Sequence, residues 1–284
     1  MKYLIVKGYL GFGDRLESLK MCVAYAQKHN LQIYVDWRDS MWSHGSNDFY
    51  TYFNLLMPTF KFEDIPGDAT YYPSFWKGKL NEHITQDFIT AHKDEGINLE
   101  IINNAIDADV IVCSCIGGRM LFTDSSFFAN VFRVIDPRIL NGVTRHSQSY
   151  PLQTSWGVHI RGTDRLKSHK RLFNIQSMVL NLVTNGGMNK AHMVIVSDDK
   201  ENAQIIKNYY PNAYMVSSFA TNSTTGTHML TKDQLSISKD QLNVEMLIDF
   251  FVLAKCERVY TTVKDSRYAQ EARRLHPYVN NILS

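Results

Sequence analysis

Ser155-Trp-Gly-Val-His-Ile-Arg161-Gly-Thr-Asp164-Arg-Leu-Lys-Ser-His-Lys-Arg171 is the stretch on which the fold turns. It opens as a strand, because Trp156, Val158 and Ile160 alternate with Gly157 and His159. It breaks at Arg161-Gly162-Thr163-Asp164, where a glycine, a hydroxyl and a carboxylate make a turn. Arg161, Arg165, Lys167, Lys170 and Arg171 gather positive charge there, with His169 as a conditional sixth. Open α/β sheets bind ligands at the carboxyl ends of their strands, where this arginine and its glycine-bearing loop fall. Arginine in that position suits a phosphate, since its planar fork donates two hydrogen bonds at once. An ordinary solvated loop accounts for Lys167 and Lys170, but not for an arginine that terminates an apolar strand.

The chain upstream repeats a strand-helix-strand rhythm. Residues 2–7 read as a strand, and a helix runs to about His29 with Leu16, Leu19, Cys22, Val23 and Ala26 on one face. Asp14 and Glu17 match a capping box at its start, and Leu31–Val35 is the next strand, so the unit predicts parallel pairing. Gly11 and Gly13 could cradle a phosphate at the helix N-terminus, or simply allow a tight turn. Their spacing matches neither the dinucleotide-binding nor the P-loop pattern. Asp36-Trp37-Arg38-Asp39-Ser-Met-Trp42 mixes carboxylates with flat rings, as sugar sites and exposed loops both do. Residues 47–57 read as an aromatic core helix, and the irregular stretch 61–95 as a candidate acceptor surface. Asp107-Ala-Asp109 precedes the strand Val110–Cys115, so it reads as a strand-entry turn and not as a metal site.

Downstream, Asp136–Pro151 has the Asn-Gly, Ser, Gln and proline content of a linker, which sets the boundary near Ser149. Helices are expected at 172–185, 200–208 and 243–254, and strands at 193–196 and 258–262. Ser197-Asp198-Asp199 follows a strand and offers an N-cap for the helix after it, and Ser266 starts the last helix. Residues 220–240 read as a long polar loop.

Composition narrows the function classes. The chain has 284 residues, 44% hydrophobic and 20% charged, enough for two ordinary globular domains. A net charge of +2 gives no footprint for nucleic acid or an anionic membrane. Cys22, Cys113, Cys115 and Cys256 form no disulfide framework in a chain this long, and a lone Cys-x-Cys is a poor metal site. The apolar run in Met1–Lys7 is too short for a signal peptide or an anchor, which reads as a cytoplasmic protein.

His159-Ile-Arg161-Gly-Thr-Asp164 resembles the donor-binding motif of the fucosyltransferase superfamily, which holds the core, nodulation and protein O-fucosyltransferases. The Gly11-Phe-Gly13-Asp14-Arg15-Leu16 segment resembles that superfamily's N-terminal glycine loop, which in relatives lies at the interdomain cleft. Ser197-Asp198-Asp199, Asp249 and Ser266 resemble its later motifs on the nucleotide side, in the same order. Two departures stand out. Many members have a second arginine where this chain has Gly162, and paired serines near Val263–Ser266.

The resemblance implies an α/β GT-B protein, two Rossmann-like domains facing across a cleft. Residues 1–149 would form the acceptor side and 150–284 would bind the nucleotide sugar. It implies an inverting glycosyltransferase that moves L-fucose from GDP-fucose to a glycan acceptor, with no metal and no cofactor; the net charge and the short apolar run at residues 1–7 add the expectation of no nucleic-acid partner and no membrane anchor. It places Gly11, Gly13, Arg15, His159, Arg161, Gly162, Asp164, Ser197, Asp198, Asp199, Asp249 and Ser266 at the donor. Arg161 would neutralise the leaving diphosphate, and Asp14, Asp36 and Asp39 are the candidate bases. The same fold with GDP-mannose, GDP-rhamnose or UDP-xylose, or a carbohydrate-binding protein without turnover, are the other expectations. Eukaryotic relatives are usually anchored in the secretory pathway, so a bacterial or virus-encoded protein is expected.

Overall fold

A computed structural model describes residues 2–45, 47–95, 97, 105–113, 124–162, 184, 192–218, 226 and 229–284. The chain divides into two compact units, Met1–Ile135 with Asn281–Ser284, and Asp136–Asn280. Each unit carries a four-stranded sheet in which every pairing is parallel.

In the first unit β1 (Tyr3–Lys7) is followed by helix α1 (Phe12–His29) and β2 (Gln32–Asp36). After β3 (Phe53–Leu55) come β4 (Tyr71–Tyr72) and β5 (Val110–Cys113), giving the order β2-β1-β5-β4. All residues of β1 and β5 are buried, as expected of the central strands of a parallel sheet covered on both faces. Asn30, in the left-handed region at φ 52°, ends α1, and Leu31 N–H bonds back to the Ala26 carbonyl at 2.9 Å. The helix begins one turn earlier than its capping-box pattern implies. Gly11 is the N-cap and Asp14 lies in the first turn, so the Asp14–Glu17 box is not the start.

The stretch 47–57 is not a helix. It turns and then forms β3, antiparallel to β6 (Phe132–Val134), and its rings do build core. Trp37 and Trp42 are 1% and 2% exposed and pack with Phe12, Phe49 and Phe53. These tryptophans therefore offer no flat surface to a sugar, which removes that reading of Asp36–Trp42.

The second unit opens with the helix Pro137–Ser149, which replaces the expected linker. Asp136 caps it by accepting the Arg138 N–H at 2.8 Å, and proline takes the first turn, where its missing N–H costs nothing. The polar composition that suggested a linker is the solvent face of this helix, and the boundary moves upstream of it. Strand β7 (Trp156–Ile160) is followed by β8 (Met193–Ser197), the helix Lys200–Tyr209, β9 (Tyr214–Met215), the helix Lys239–Lys255, β10 (Arg258–Thr261) and the helix Arg267–Leu275. The sheet order is β10-β7-β8-β9. The chain winds from β7 outward to β9 and then returns to the other side of β7. The winding reverses between β7 and β10, and such a switch point is where open α/β sheets open a binding crevice. The expected helix 172–185, Thr184 apart, lies outside the described residues.

Candidate functional site

Arg161 leaves the sheet at this switch point, and its backbone is held from both neighbouring strands. On the β10 side, Thr262 Oγ1 accepts the Arg161 N–H at 3.0 Å, and Thr262 N–H donates to the His159 carbonyl at 3.0 Å. On the β8 side, Ser197 Oγ donates to the Ile160 carbonyl at 3.0 Å, and Asp198 Oδ1 accepts the Gly162 N–H at 2.9 Å. Each bond contributes about 1 kcal/mol net. Their larger effect is geometric: the peptide groups on both sides of Arg161 are fixed, and the residue itself is half-buried.

His159 is the inward neighbour of Arg161. Its Nδ1 lies 3.1 Å from Thr261 Oγ1 and 3.4 Å from Ser266 Oγ, and its ring sits 5.1 Å from that of Tyr268. Burial, reinforced by the Arg161 charge, drives the imidazole down to about 3, so it is neutral at ordinary pH. This ring packs under the site and orders the strand end. Ser266 also caps the helix Arg267–Leu275 by accepting the Ala269 N–H at 3.4 Å.

A polar relay ties the end of β8 to the helix Lys239–Lys255. Ser197 N–H donates to Ser217 Oγ at 2.9 Å, and Ser217 Oγ in turn donates to Asp249. Burial pushes the Asp249 carboxyl up to about 7, with the Ser217 hydrogen bond pulling the other way and the Glu245 charge adding to the rise. Tyr268 donates to the Met246 carbonyl at 2.8 Å, joining the same helix to the His159 layer. His159, Arg161, Gly162, Ser197, Asp198, Asp199, Asp249 and Ser266 thus all belong to one bonded neighbourhood around the carboxyl ends of β7, β8 and β10. Asp164 lies outside the described residues. Thr261, Thr262 and Ser217 belong to this neighbourhood too and escaped the sequence reading. The two threonines closing the strand next to the organising stretch were the available signal.

The first-unit residues behave differently. Arg15 has a fully buried side chain, with Nη1 and Nη2 donating to Asp39 at 2.7 and 2.6 Å and Nε to the Leu10 carbonyl at 2.9 Å. Its guanidinium lies 5.5 Å from the Trp37 ring and 5.4 Å from that of Trp42. A Cβ on Gly8 would fall 2.0 Å from Arg15 Nη1, so glycine there makes room for the guanidinium. Asp36 is held between Lys7 at 2.7 Å and Arg38 at 2.7 Å. Burial acts to raise its carboxyl, but the Arg38 hydrogen bond and the Lys7 charge outweigh that and hold it below the usual range. Lys7 also donates to the Leu80 and Glu82 carbonyls, stapling that loop to the strand ends. Arg15 therefore has its fork on Asp39 and not toward a ligand, and Asp36 and Asp39 are ion-paired carboxylates, poorly suited to act as bases. Asp14 is half-buried in the first turn of α1, beside Gly11 and Gly13.

Among the described residues no three histidine, cysteine, aspartate or glutamate side chains are grouped to hold a metal ion, and no helix is long and apolar enough to cross a membrane. Cys22, Cys113 and Cys256 are buried free thiols.

No protein-family model and no curated protein matches the sequence. Solved structures do. A crystal structure of the fucosyltransferase NodZ from Bradyrhizobium matches with a TM-score of 0.68 at 17% identity, covering 96% of this chain and 92% of that one. The NodZ alpha-1,6-fucosyltransferase soaked with GDP-fucose matches with a TM-score of 0.68 at 18% identity, over 97% and 93% of the two chains. A mutant of Arabidopsis thaliana FUT1 in complex with GDP matches with a TM-score of 0.55 at 14% identity, over 97% of this chain and 68% of that one. The chain has the two-unit α/β fold of these fucosyltransferases, consistent with the GT-B architecture.

Proposed function

We propose that this chain is an inverting glycosyltransferase whose donor is a nucleotide diphosphate sugar, GDP-fucose, and whose acceptor is a glycan. The observation that carries this reading is Arg161, fixed by Thr262 and, through Gly162, by Asp198 at the switch point of a fold shared with NodZ. NodZ structures were obtained co-crystallized with GDP and soaked with GDP-fucose.

In this reading the Arg161 guanidinium bonds the diphosphate and stabilises the charge that grows on it as the bond to the sugar anomeric carbon breaks. The departing GDP keeps that bond's electron pair. The acceptor hydroxyl oxygen bonds the anomeric carbon from the opposite face, which inverts it, and the hydroxyl proton passes to a base or to water. A preorganised cation is worth most in such a step, because charge separates in the transition state and the group need not move to meet it. An oxocarbenium-like transition state asks little of a base.

Calorimetric titration with GDP, GDP-fucose, GDP-mannose, GDP-rhamnose, UDP and UDP-xylose tests the reading. GDP and GDP-fucose are expected to bind the wild-type chain, and the Arg161→Ala variant is expected to lose that binding while keeping its melting temperature. Selective binding of another donor would keep the fold and change the sugar. Binding of none, or equal binding by Arg161→Ala, would reject the donor site.

A further inference from the structure

The end of β8 grips the end of β7 at three successive residues. Ser197 and Asp198 do so through hydrogen bonds to the Ile160 carbonyl and the Gly162 N–H, at 3.0 and 2.9 Å. Asp199 does so by volume. A Cβ on Gly162 would lie 1.9 Å from Asp199 Oδ2 and 2.5 Å from its Cβ and Cγ, closer than the 3.0 Å floor of real Cβ contacts. Asp199 has little room to retreat, because its carboxylate caps the helix Lys200–Tyr209 and accepts the Asn202 N–H at 3.0 Å and Nδ2 at 2.6 Å. Its own N–H is tied to Ser197 Oγ at 2.8 Å. A side chain at 162 and the side chain at 199 therefore exclude each other. The missing second arginine is thereby explained: its place beside Arg161 is filled by a helix cap.

We infer that Asp198 and Asp199 are positioning residues that reach a bound diphosphate only through Gly162 and Arg161, one by hydrogen bond and the other by filling the space a side chain at 162 would need. The inference rests on the donor-site reading of Arg161. It assigns the Ser197-Asp198-Asp199 segment the task of aiming the arginine, in place of touching the nucleotide. It also makes Arg161 the sole cationic side chain of the pair 161–162.

The test moves the glycine from one partner to the other. Gly162→Ala is expected to weaken GDP on the order of 100-fold, the loss that a misplacement of about 1 Å brings. GMP, which lacks the terminal phosphate, should bind it nearly as it binds the wild type. Combining Gly162→Ala with Asp199→Gly should restore GDP binding, since glycine still serves as an N-cap at a cost of a few tenths of a kcal/mol. Asp198→Asn keeps an oxygen for the Gly162 N–H and should bind GDP like the wild type, whereas Asp198→Ala should behave like Gly162→Ala. This second pair decides the matter if Gly162→Ala fails to fold.

Unimpaired GDP binding by both Gly162→Ala and Asp198→Ala overturns the inference. So does a Gly162→Ala loss that Asp199→Gly leaves in place, or a parallel weakening of GMP and GDP with a lower melting temperature. A wild-type chain that binds GDP no better than GMP rejects the donor-site reading itself and is distinguishable from all of these.

Discussion

Replacing Arg15 by methionine should damage the fold of the first unit and leave the donor site alone. The substitution removes the cation but leaves Asp39 1% exposed, with the Met41 N–H at 3.2 Å still donating to its carboxylate. Removing one member of a buried pair costs about 3–5 kcal/mol, because the other charge is stranded in a poor solvent. At roughly 3 °C per kcal/mol for a unit of this size, the first-unit transition should fall by about 10 °C. Differential scanning calorimetry reads that shift, and a GDP titration at a temperature where the variant is folded reads the site. Arg15→Met with Asp39→Leu should recover most of the loss, since exchanging a whole buried pair for apolar groups is often neutral or better. An unchanged transition combined with lost GDP binding would refute this reasoning and make Arg15 a ligand-contacting residue after all.

Arg161→Ala should cut transfer by about two to three orders of magnitude, as loss of one charge-stabilising donor does, and Arg161→Lys should recover only part, because lysine lacks the fork; steady-state turnover of GDP-fucose measures both. Activity should persist in excess chelator, with Arg161 carrying the charge on the diphosphate, and a loss that manganese restores would count against this assignment. Stability should also depend on pH through two opposed groups. Asp249 takes up its proton at about 7 in the folded chain against about 3.9 unfolded, so its contribution is full below about pH 4 and lost as pH rises through 7. His159, at about 3 folded against about 6.5 unfolded, contributes fully above about pH 6.5 and loses this as pH falls toward 3. Asp249→Asn should unmask the histidine slope, a stability that rises with pH between about 4 and 6.5 in urea midpoints; an unchanged profile would refute the Asp249 shift.

The alternation of apolar strands with helices was legible because parallel strands, buried on both faces, leave continuous apolar runs such as Tyr3–Val6 and Met193–Val196. The helix Pro137–Ser149 was not, because its cap, Asp136, and its leading proline are also what a turn is made of. Arg161 could be picked out because a cation closing a buried strand is anomalous by pattern alone. Arg15 and Asp39 misled for a related reason. A charged pair 24 residues apart looks like chemistry in one dimension, and only packing shows that each neutralises the other beneath two tryptophans. The exclusion between Gly162 and Asp199 lay further out of reach, since it depends on the distance between two strand ends 36 residues and more apart.

The place where the sheet winding reverses also sets when the Arg161 neighbourhood can exist. The bonds that fix Arg161 and His159 from the β10 side span 101 and 102 residues of chain, against 36 for the Gly162 bond to Asp198. Closing the longer loops carries a larger entropy loss and slows folding, and a chain emerging from the ribosome makes its nearer contacts first. A nascent chain can therefore pack β7 against β8 while one flank of Arg161 still faces water. The Arg161 neighbourhood is complete only once Thr261, Thr262 and Ser266 have been synthesised and have docked, so the last strand to join acts as a check on the folding of the second unit.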